Sequence, residues 1–164
     1  MKNKSYANRG MKLESLISKT NDYYRENNIA DIRKVPTAFK VLRTYEKNKS
    51  LKVGHLMAGE WLDFCGVKDG KFIIFDAKQT KGKSIPLSNI KEHQMESLES
   101  FDLNKGDAFI IIYFSDLERY FKVNYKQLKF IIDYEIGKMK SVNYKILESY
   151  NCEIHIENGI LKYL

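Results

Sequence analysis

The hydrophobic positions in the first part of the chain recur at helical spacing. The residues of this stripe, each three or four positions from the next, are Leu13, Leu16, Ile17, Thr20 and Tyr24. Side chains so spaced lie on one face of a helix. The pattern therefore predicts an amphipathic helix from about 11 to 27 that packs on a sheet.

Two short β-type segments follow further on, separated by a turn. Residues 61–67 are aromatic and apolar, Lys68-Asp69-Gly70 reads as a three-residue turn, and residues 71–78 are rich in aromatic and β-branched side chains. This pattern predicts a β-hairpin whose second strand is mostly buried.

The remaining pattern predicts alternating helices and strands. The stripe of the second helix includes one polar residue, Gln94, and Ser88 or Asn89 is expected to cap that helix. The run at 107–114 is apolar throughout, as in a central strand, and its antiparallel partner is expected at 119–123. The other predicted elements are a strand at 29–35 ended by Pro36-Thr37, a helix at 124–134, a short helix at 142–150, and a terminal hairpin within 152–164 around Asn158-Gly159.

The stretch from Thr37 to Glu60 has few large apolar residues and many cations. Its basic residues are Lys40, Arg43, Lys47, Lys49 and Lys52. We expect a projecting or mobile arm. Tyr45 and Phe39 among these cations could stack on nucleic acid bases or pack against the body, and packing is favoured for Phe39.

Length and composition favour one compact domain. The chain has 164 residues, of which 43% are hydrophobic, enough for a real core. Its apolar runs are too short to cross a bilayer, and the first residues lack the apolar core of a signal peptide, so a cytoplasmic location is expected. Neither the two cysteines nor the three histidines follow a zinc-binding spacing.

The net charge of +7 indicates a polyanionic partner. Nucleic acid is a better prediction than a membrane surface, because no basic amphipathic helix with an apolar anchor is present. The alternative is a lysine-rich composition with solvated faces. The cations proposed to contact DNA outside the arm are Lys12, Lys34, Lys81 and Lys83, with Arg43, Lys47, Lys49 and Lys52 inside it.

The predicted hairpin brings an acid, a second acid and a lysine together. Asp76 and Lys78 point to the same face of one strand, and Asp63 lies across from them. Two carboxylates can bind a hard divalent cation, and an ammonium can orient a water or stabilise charge developing on a phosphate. The alternative is a strand-end salt bridge between Asp76 and Lys78 near a solvated Asp63. The residues alone do not decide between a metal site and a salt bridge.

Glu14 lies beside the apolar stripe of the first helix. It could reach over the sheet edge as a further acid of a metal site. Equally, it could be a first-turn acid that complements the helix dipole.

Several short motifs, taken together, resemble a known family. They are NRGMKLE at 8–14, the Pro36-Thr37 step, DFCG at 63–66, FDAKQT at 75–80, and the segment from Pro86-Leu87 to His93-Gln94. Over residues 5–135 the chain resembles Holliday junction resolvases of the RecU type, within the PD-(D/E)xK nuclease superfamily. The chain departs from the family at Asp76, where RecU proteins usually carry Glu.

The resemblance implies an α/β fold of the restriction-endonuclease type, a mixed central sheet flanked by helices, in one nuclease domain over 1–164 with a basic stalk at about 37–59. It implies a Mg²⁺-dependent endonuclease, with Mn²⁺ as a possible substitute, that resolves four-way DNA junctions by paired symmetric nicks. The implied partners are branched DNA, a second copy of the chain and other recombination proteins. The implied site residues are Asp63, Asp76 and Lys78, with Asp63 and Asp76 as metal ligands, Glu14 as a further acid, Gln94 in support and Arg9 as a DNA contact.

Overall fold

A computed structural model describes residues 11–36, 39–45, 48–56, 61–135, 137 and 140–164. Its four α-helices are α1 (Met11–Glu26), α2 (Glu92–Leu103), α3 (Tyr125–Phe130) and α4 (Tyr144–Ser149). The strands are β1 (Asp31–Lys34), β2 (Phe39–Tyr45), β3 (Asn48–Leu56), β4 (Phe64–Lys68), β5 (Lys71–Thr80), β6 (Ser84–Pro86), β7 (Asp107–Phe114), β8 (Arg119–Asn124), β9 (Ser141–Asn143), β10 (Glu153–Ile154), β11 (Ile156–Glu157) and β12 (Ile160–Leu161). A 3₁₀ turn (Leu87–Asn89) precedes α2, and a π-helical turn (Ile131–Glu135) follows α3.

Six strands form the central sheet, in the order β1-β4-β5-β7-β8-β10. Only β5 and β7 are parallel, and every other neighbouring pair in this sheet is antiparallel. The parallel pair requires a crossover, which β6 and α2 provide. This mixed sheet flanked by helices confirms the predicted fold class.

Each face of the sheet carries its own hydrophobic core. On one face α1 buries Leu13, Ile17 and Tyr24, and these residues belong to the same cluster as Phe75 and Phe109. The rings of Phe75 and Phe109 stack at 4.7 Å between centroids across the parallel pair. The predicted stripe of the first helix is therefore its buried face.

The opposite face is covered by α2, α3 and α4. Leu98, Leu128 and Leu147 from these helices join Ile74 and Ile110 of the sheet in a second cluster. Because alternate residues of β5 face opposite sides, the clusters assign Ile74 to the α2 side and Phe75 to the α1 side. Asp76 and Lys78 follow Ile74 on the α2 side.

The predicted hairpin is present, but its turn is shorter than expected. Lys68 pairs with Lys71, so the turn consists of Asp69 and Gly70 alone. Both have positive φ, at 49° and 75°, which is the conformation of a two-residue turn that suits the twist of a hairpin. Lys68 therefore belongs to the strand, and the prediction of a three-residue turn was wrong.

The predicted cap of α2 was also wrong. Ser88 and Asn89 lie in the 3₁₀ turn, and the helix begins after Lys91. The backbone N–H of Lys91 donates to Gln94 Oε1 at 3.1 Å. The side chain of Gln94, in the first turn, thus provides a hydrogen-bond acceptor for the backbone N–H of the residue before the helix.

The basic arm contains a two-stranded antiparallel ribbon. β2 and β3 pair only with each other among the described strands, from Phe39 opposite Leu56 to Tyr45 opposite Asn48. Within the ribbon, the side chains of residues 40–42 and 52 are described, and those of Lys40, Leu42 and Lys52 are exposed. The ribbon lies within the predicted stalk range of 37–59.

No helix in the described parts of the chain is long and apolar enough to span a membrane.

The C-terminal segment packs against α1. The predicted hairpin around Asn158-Gly159 is formed by β11 and β12. Leu161 N donates to Thr20 Oγ1 at 3.0 Å, and the Tyr163 hydroxyl is bonded to Asn21 Oδ1 in the buried region. These bonds satisfy polar side chains of α1 that would otherwise be buried alone.

Candidate active site

Asp63 lies just before β4 and bonds to both strands that flank β4 in the sheet. Its main-chain oxygen accepts from Val35 N at 2.8 Å, just after β1, and its Oδ2 accepts from Ala77 N at 3.2 Å in β5. The β4–β5 ladder ends at the pair Phe64 and Phe75, so the carboxylate of Asp63 satisfies an amide that β4 does not reach. Asp63 immediately precedes its strand rather than lying within it, but it is held opposite Asp76 as predicted.

Asp76 is almost completely buried, with 1% of its surface exposed. Its Oδ1 accepts from Gln94 Nε2 at 3.1 Å, which ties β5 to the first turn of α2. Its Oδ2 forms an ion pair with the Lys78 ammonium. The bond from Gln94 and the ion pair with Lys78 thus engage both oxygens of the Asp76 carboxylate.

The surroundings of Asp76 disfavour its charged form. Burial raises the pKa of Asp76 to about 7, and the neighbouring carboxylate of Asp63 raises it as well, whereas the Lys78 ammonium lowers it. A carboxylate in this position becomes far easier to ionise when a cation binds beside it. Perturbed groups of this kind are common at functional sites.

The donor set fits a hard divalent cation that retains water ligands. No group of three or more His, Cys, Asp or Glu side chains assembles into a metal site within the described ranges, where the site has two carboxylates, those of Asp63 and Asp76. Mg²⁺ is typically bound through one or two carboxylates and several waters. Asp76 Oδ2 already faces one cation, the Lys78 ammonium, so this oxygen lies in a position that suits cation binding.

Glu14 and Lys34 form an ion pair between α1 and β1. Glu14 lies on the helix that covers the opposite face of the sheet from Asp76, near the edge strand. The structure therefore joins Glu14 to Lys34 and does not join it to Asp63 and Asp76 in a metal-binding group. Its role as a further acid stays a prediction.

The predicted DNA contacts occupy different surroundings. Lys12 is exposed, and its Nζ donates to Tyr113 Oη at 3.4 Å. Lys81 and Lys83 are exposed in the loop that follows β5, and Lys52 is exposed on the ribbon. Arg43 and Lys49 lie in the ribbon strands, but their side chains are outside the described part of the structure, as are Arg9 and Lys47 entirely.

One residue that sequence reasoning did not single out positions the basic loop. Asp116 Oδ2, in the turn between β7 and β8, accepts from Gly82 N at 2.9 Å. The two residues are 34 positions apart, so no local pattern could have linked them. An Asp in a turn is normally expected to be solvated, so its sequence context gave no reason to predict this hydrogen bond.

Comparisons with known proteins agree with the motif pattern. The family model described as recombination protein U, RecU, matches residues 8–164. The match thus includes the C-terminal segment, which the motif resemblance over 5–135 did not reach.

Several curated proteins are similar to most of the chain. A protein named Holliday junction resolvase RecU from Geobacillus sp. (strain WCH70) is 36% identical over 89% of this chain and 75% of its own length. One of the same name from Lactiplantibacillus plantarum is 34% identical over 99% of this chain and 81% of its own. Among solved structures, the Holliday junction resolvase Hjc of Archaeoglobus fulgidus has a TM-score of 0.48 and 8% identity, covering 82% of this chain and 92% of its own.

The family match spans nearly the whole chain, and the matched range includes the residues clustered at Asp76. The chain belongs to the RecU family, recombination protein U.

Proposed function

We propose that this protein is a structure-selective endonuclease that resolves four-way (Holliday) DNA junctions by paired symmetric nicks in recombination and repair. The observation that carries the proposal is the buried carboxylate of Asp76, which lies beside a second acid, Asp63, and is paired with the Lys78 ammonium. Relatives at 34 to 36% identity that are named Holliday junction resolvases support the choice of substrate.

In the proposed site, Asp63 and Asp76 hold a divalent cation, with Mg²⁺ as the natural ion and Mn²⁺ as a substitute. When bound, such an ion polarises the phosphate and lowers the pKa of a coordinated water. Gln94 fixes the orientation of the Asp76 carboxylate through its bond to Oδ1. The Lys78 ammonium stabilises the negative charge that develops on the phosphate or orients the attacking water.

Selectivity for junctions is proposed to come from the ribbon of β2 and β3. A slender antiparallel ribbon with exposed cations such as Lys40 and Lys52 suits the open centre of a four-way junction. The duplex arms of the DNA junction are proposed to be contacted by Arg9, Lys12, Lys34, Lys81 and Lys83. Because two symmetric nicks need two equivalent sites, the active species is proposed to be a homodimer working on cytoplasmic DNA.

Two other functions remain as alternatives. One is a restriction-type or repair-type endonuclease on the same fold. The other is a junction-binding protein without catalysis, in which Asp76 and Lys78 form only a structural ion pair. Asp76 is buried beside a second acid, Asp63, which a structural ion pair with Lys78 does not require, and this favours catalysis over the purely structural role.

The proposal is tested by incubating the full chain with an end-labelled four-way junction and with linear duplex of the same sequence. We expect paired symmetric nicks in the junction with Mg²⁺, none with EDTA, and far slower cutting of the duplex. Equal cutting of both substrates would favour the restriction or repair alternative. Tight junction binding with no cleavage at any Mg²⁺ or Mn²⁺ concentration would favour the binding protein.

A further inference from the structure

Lys12 is a cation that the fold itself does not use for an ion pair. It lies in the first turn of α1, where the partial positive charge of a helix N-terminus disfavours a cation. Its side chain is exposed, and Glu14, the acid of the same turn, is paired with Lys34 instead. No acid among the residues that the structure describes forms an ion pair with Lys12. Its charge is therefore available to an anionic partner.

The Lys12 ammonium is held by a tyrosine of the sheet. Its Nζ donates to Tyr113 Oη at 3.4 Å and lies 5.7 Å from the centre of the same ring. Tyr113 is itself fixed, because it is buried and its ring stacks on Tyr120 of β8 at 4.4 Å between centroids, only 9° from parallel. A phenol at neutral pH is uncharged. Tyr113 therefore anchors a long, flexible side chain without neutralising its charge.

Tyr113 lies at the same level of the sheet as the catalytic cluster. In the parallel pair of β5 and β7 it stands opposite Gln79, the residue after Lys78. Because neighbouring residues of a strand point to opposite faces, Lys78 follows Asp76 on the α2 side, whereas Tyr113 belongs to the core on the α1 side. Lys12 is therefore held at the catalytic end of the sheet, on the opposite face from the cluster.

We infer that Tyr113 is a positioning residue for DNA binding, which holds the Lys12 ammonium in place to contact a backbone phosphate beside the catalytic end of the sheet. The inference rests on the proposed function, since it adds a residue to the DNA-binding surface of the same site. Tyr113 is buried, so it acts on DNA only through Lys12. An ammonium that is already held loses less conformational entropy when it binds. A phosphate carries no sequence information, so the contact strengthens binding to any duplex arm.

The test is a double-mutant cycle with Lys12→Gln and Tyr113→Phe in the full chain. Phe keeps the ring that stacks on Tyr120 and removes only the hydroxyl, and urea unfolding checks that the variants fold. Affinities for a four-way junction and for linear duplex are measured in EDTA by fluorescence anisotropy across a salt series. Two matched controls lie further along α1. Tyr24→Phe removes another hydroxyl that is buried and hydrogen-bonded, and Lys19→Gln removes another exposed ammonium.

We expect Lys12→Gln to weaken the binding of both DNA forms and to reduce the slope of log affinity against log salt by about 0.9, the loss of one phosphate contact. Tyr113→Phe should weaken binding about two- to tenfold, as for the loss of one hydrogen bond. In the Lys12→Gln background the same change should have no effect, because the side chain that it positions is gone. Both controls should bind DNA like the wild-type chain.

An unchanged salt slope in Lys12→Gln would overturn the phosphate contact, whether or not Tyr113→Phe folds. An equal loss of affinity from Tyr113→Phe in both backgrounds, or no loss in either, would overturn the positioning role and leave the proposed function standing. That function is judged separately, by wild-type cleavage of the same junction with Mg²⁺. A wild-type chain that binds the junction without cutting it would overturn the proposed function alone, and one that binds no DNA would overturn both.

Discussion

Gln94 donates from Nε2 to Asp76 Oδ1 at 3.1 Å, while its own Oε1 accepts from the backbone of Lys91. The amide is therefore fixed at both ends, and it holds the Asp76 carboxylate with Oδ2 towards the Lys78 ammonium. This one side chain connects the start of α2 to the proposed metal site.

Replacing Gln94 with Ala is expected to weaken metal binding about 10- to 100-fold, the usual effect of removing a group that orients a ligand. The measurement is the Mg²⁺ concentration that gives half-maximal junction cleavage. His93→Ala is the matched control, because His93 is the exposed neighbour in the same turn of the helix. An unchanged Mg²⁺ requirement in Gln94→Ala would show that the hydrogen bond does not support the site.

Asp76→Asn should stabilise the metal-free protein at neutral and alkaline pH. Burial raises the folded pKa of Asp76 to about 7, above the ordinary aspartate value of about 3.9, so the folded state holds a proton that the unfolded state has released. Wild-type stability therefore falls as the pH rises from about 4 to about 7, by about 1.4 kcal/mol for each unit between the two pKa values.

Urea unfolding in EDTA at pH 5 and pH 8 measures this effect. The advantage of Asp76→Asn over wild type should be larger at pH 8 than at pH 5. Asp69→Asn in the exposed hairpin turn is the control and should show no such change. A variant whose difference from wild type is the same at both pH values would contradict the assignment.

Lys78→Met is expected to slow cleavage and to move its pH dependence. The Lys78 ammonium lowers the pKa of Asp76, so removing it raises that pKa further. If Asp76 acts as an ionised ligand, the rising limb of the pH–rate profile should shift to higher pH. Lys71→Met, at the opposite end of the same strand, should keep the wild-type profile. A slower Lys78→Met enzyme with an unshifted profile would assign Lys78 to charge stabilisation alone.

Four cations of the ribbon region should contribute jointly to junction affinity. Replacing Arg43, Lys47, Lys49 and Lys52 with Gln is expected to reduce the slope of log affinity against log salt by about 0.9 for each phosphate that the protein no longer neutralises. Binding to linear duplex should change less. Gln at the exposed Lys19, Lys71, Lys145 and Lys162 gives a control of equal charge.

Binding of both DNA forms by filter retention or fluorescence anisotropy across a salt series gives these slopes. If the ribbon variant and the control variant lose the same affinity, both for the junction and for the duplex, that result would show that the ribbon charges only keep the protein soluble. Shortening residues 44–52 provides an independent check. A shortened chain that prefers junctions as strongly as the intact protein would place selectivity in the spacing of two active sites.

The features that could be predicted from the sequence are those with a local cause. The helical stripe from Leu13 to Tyr24 and the apolar run of β7 are repeating patterns, and both elements are present. The placement of Asp76 followed from its position after four apolar strand residues. Gln94 was noticeable as a polar residue on a buried stripe.

The remaining features depend on interactions between distant segments. The bond from Ala77 N to Asp63 Oδ2 arises because β4 ends before β5 does, and no periodicity reports where a ladder stops. The pairing of β2 with β3 was missed because lysines interrupt the alternation of their sequence. The bond between Gly82 and Asp116 joins two loops that only the parallel crossover brings together.

The central claim is that Asp63 and Asp76 form a catalytic metal site, and cleavage measured beside binding tests it most directly. Asp63→Asn and Asp76→Asn each remove a ligand charge while keeping the shape of the side chain, so both should abolish Mg²⁺-dependent nicking of a four-way junction. Junction binding in EDTA should be retained or strengthened, because one negative charge near the DNA is removed. Either variant nicking the junction at close to the wild-type rate would contradict the account.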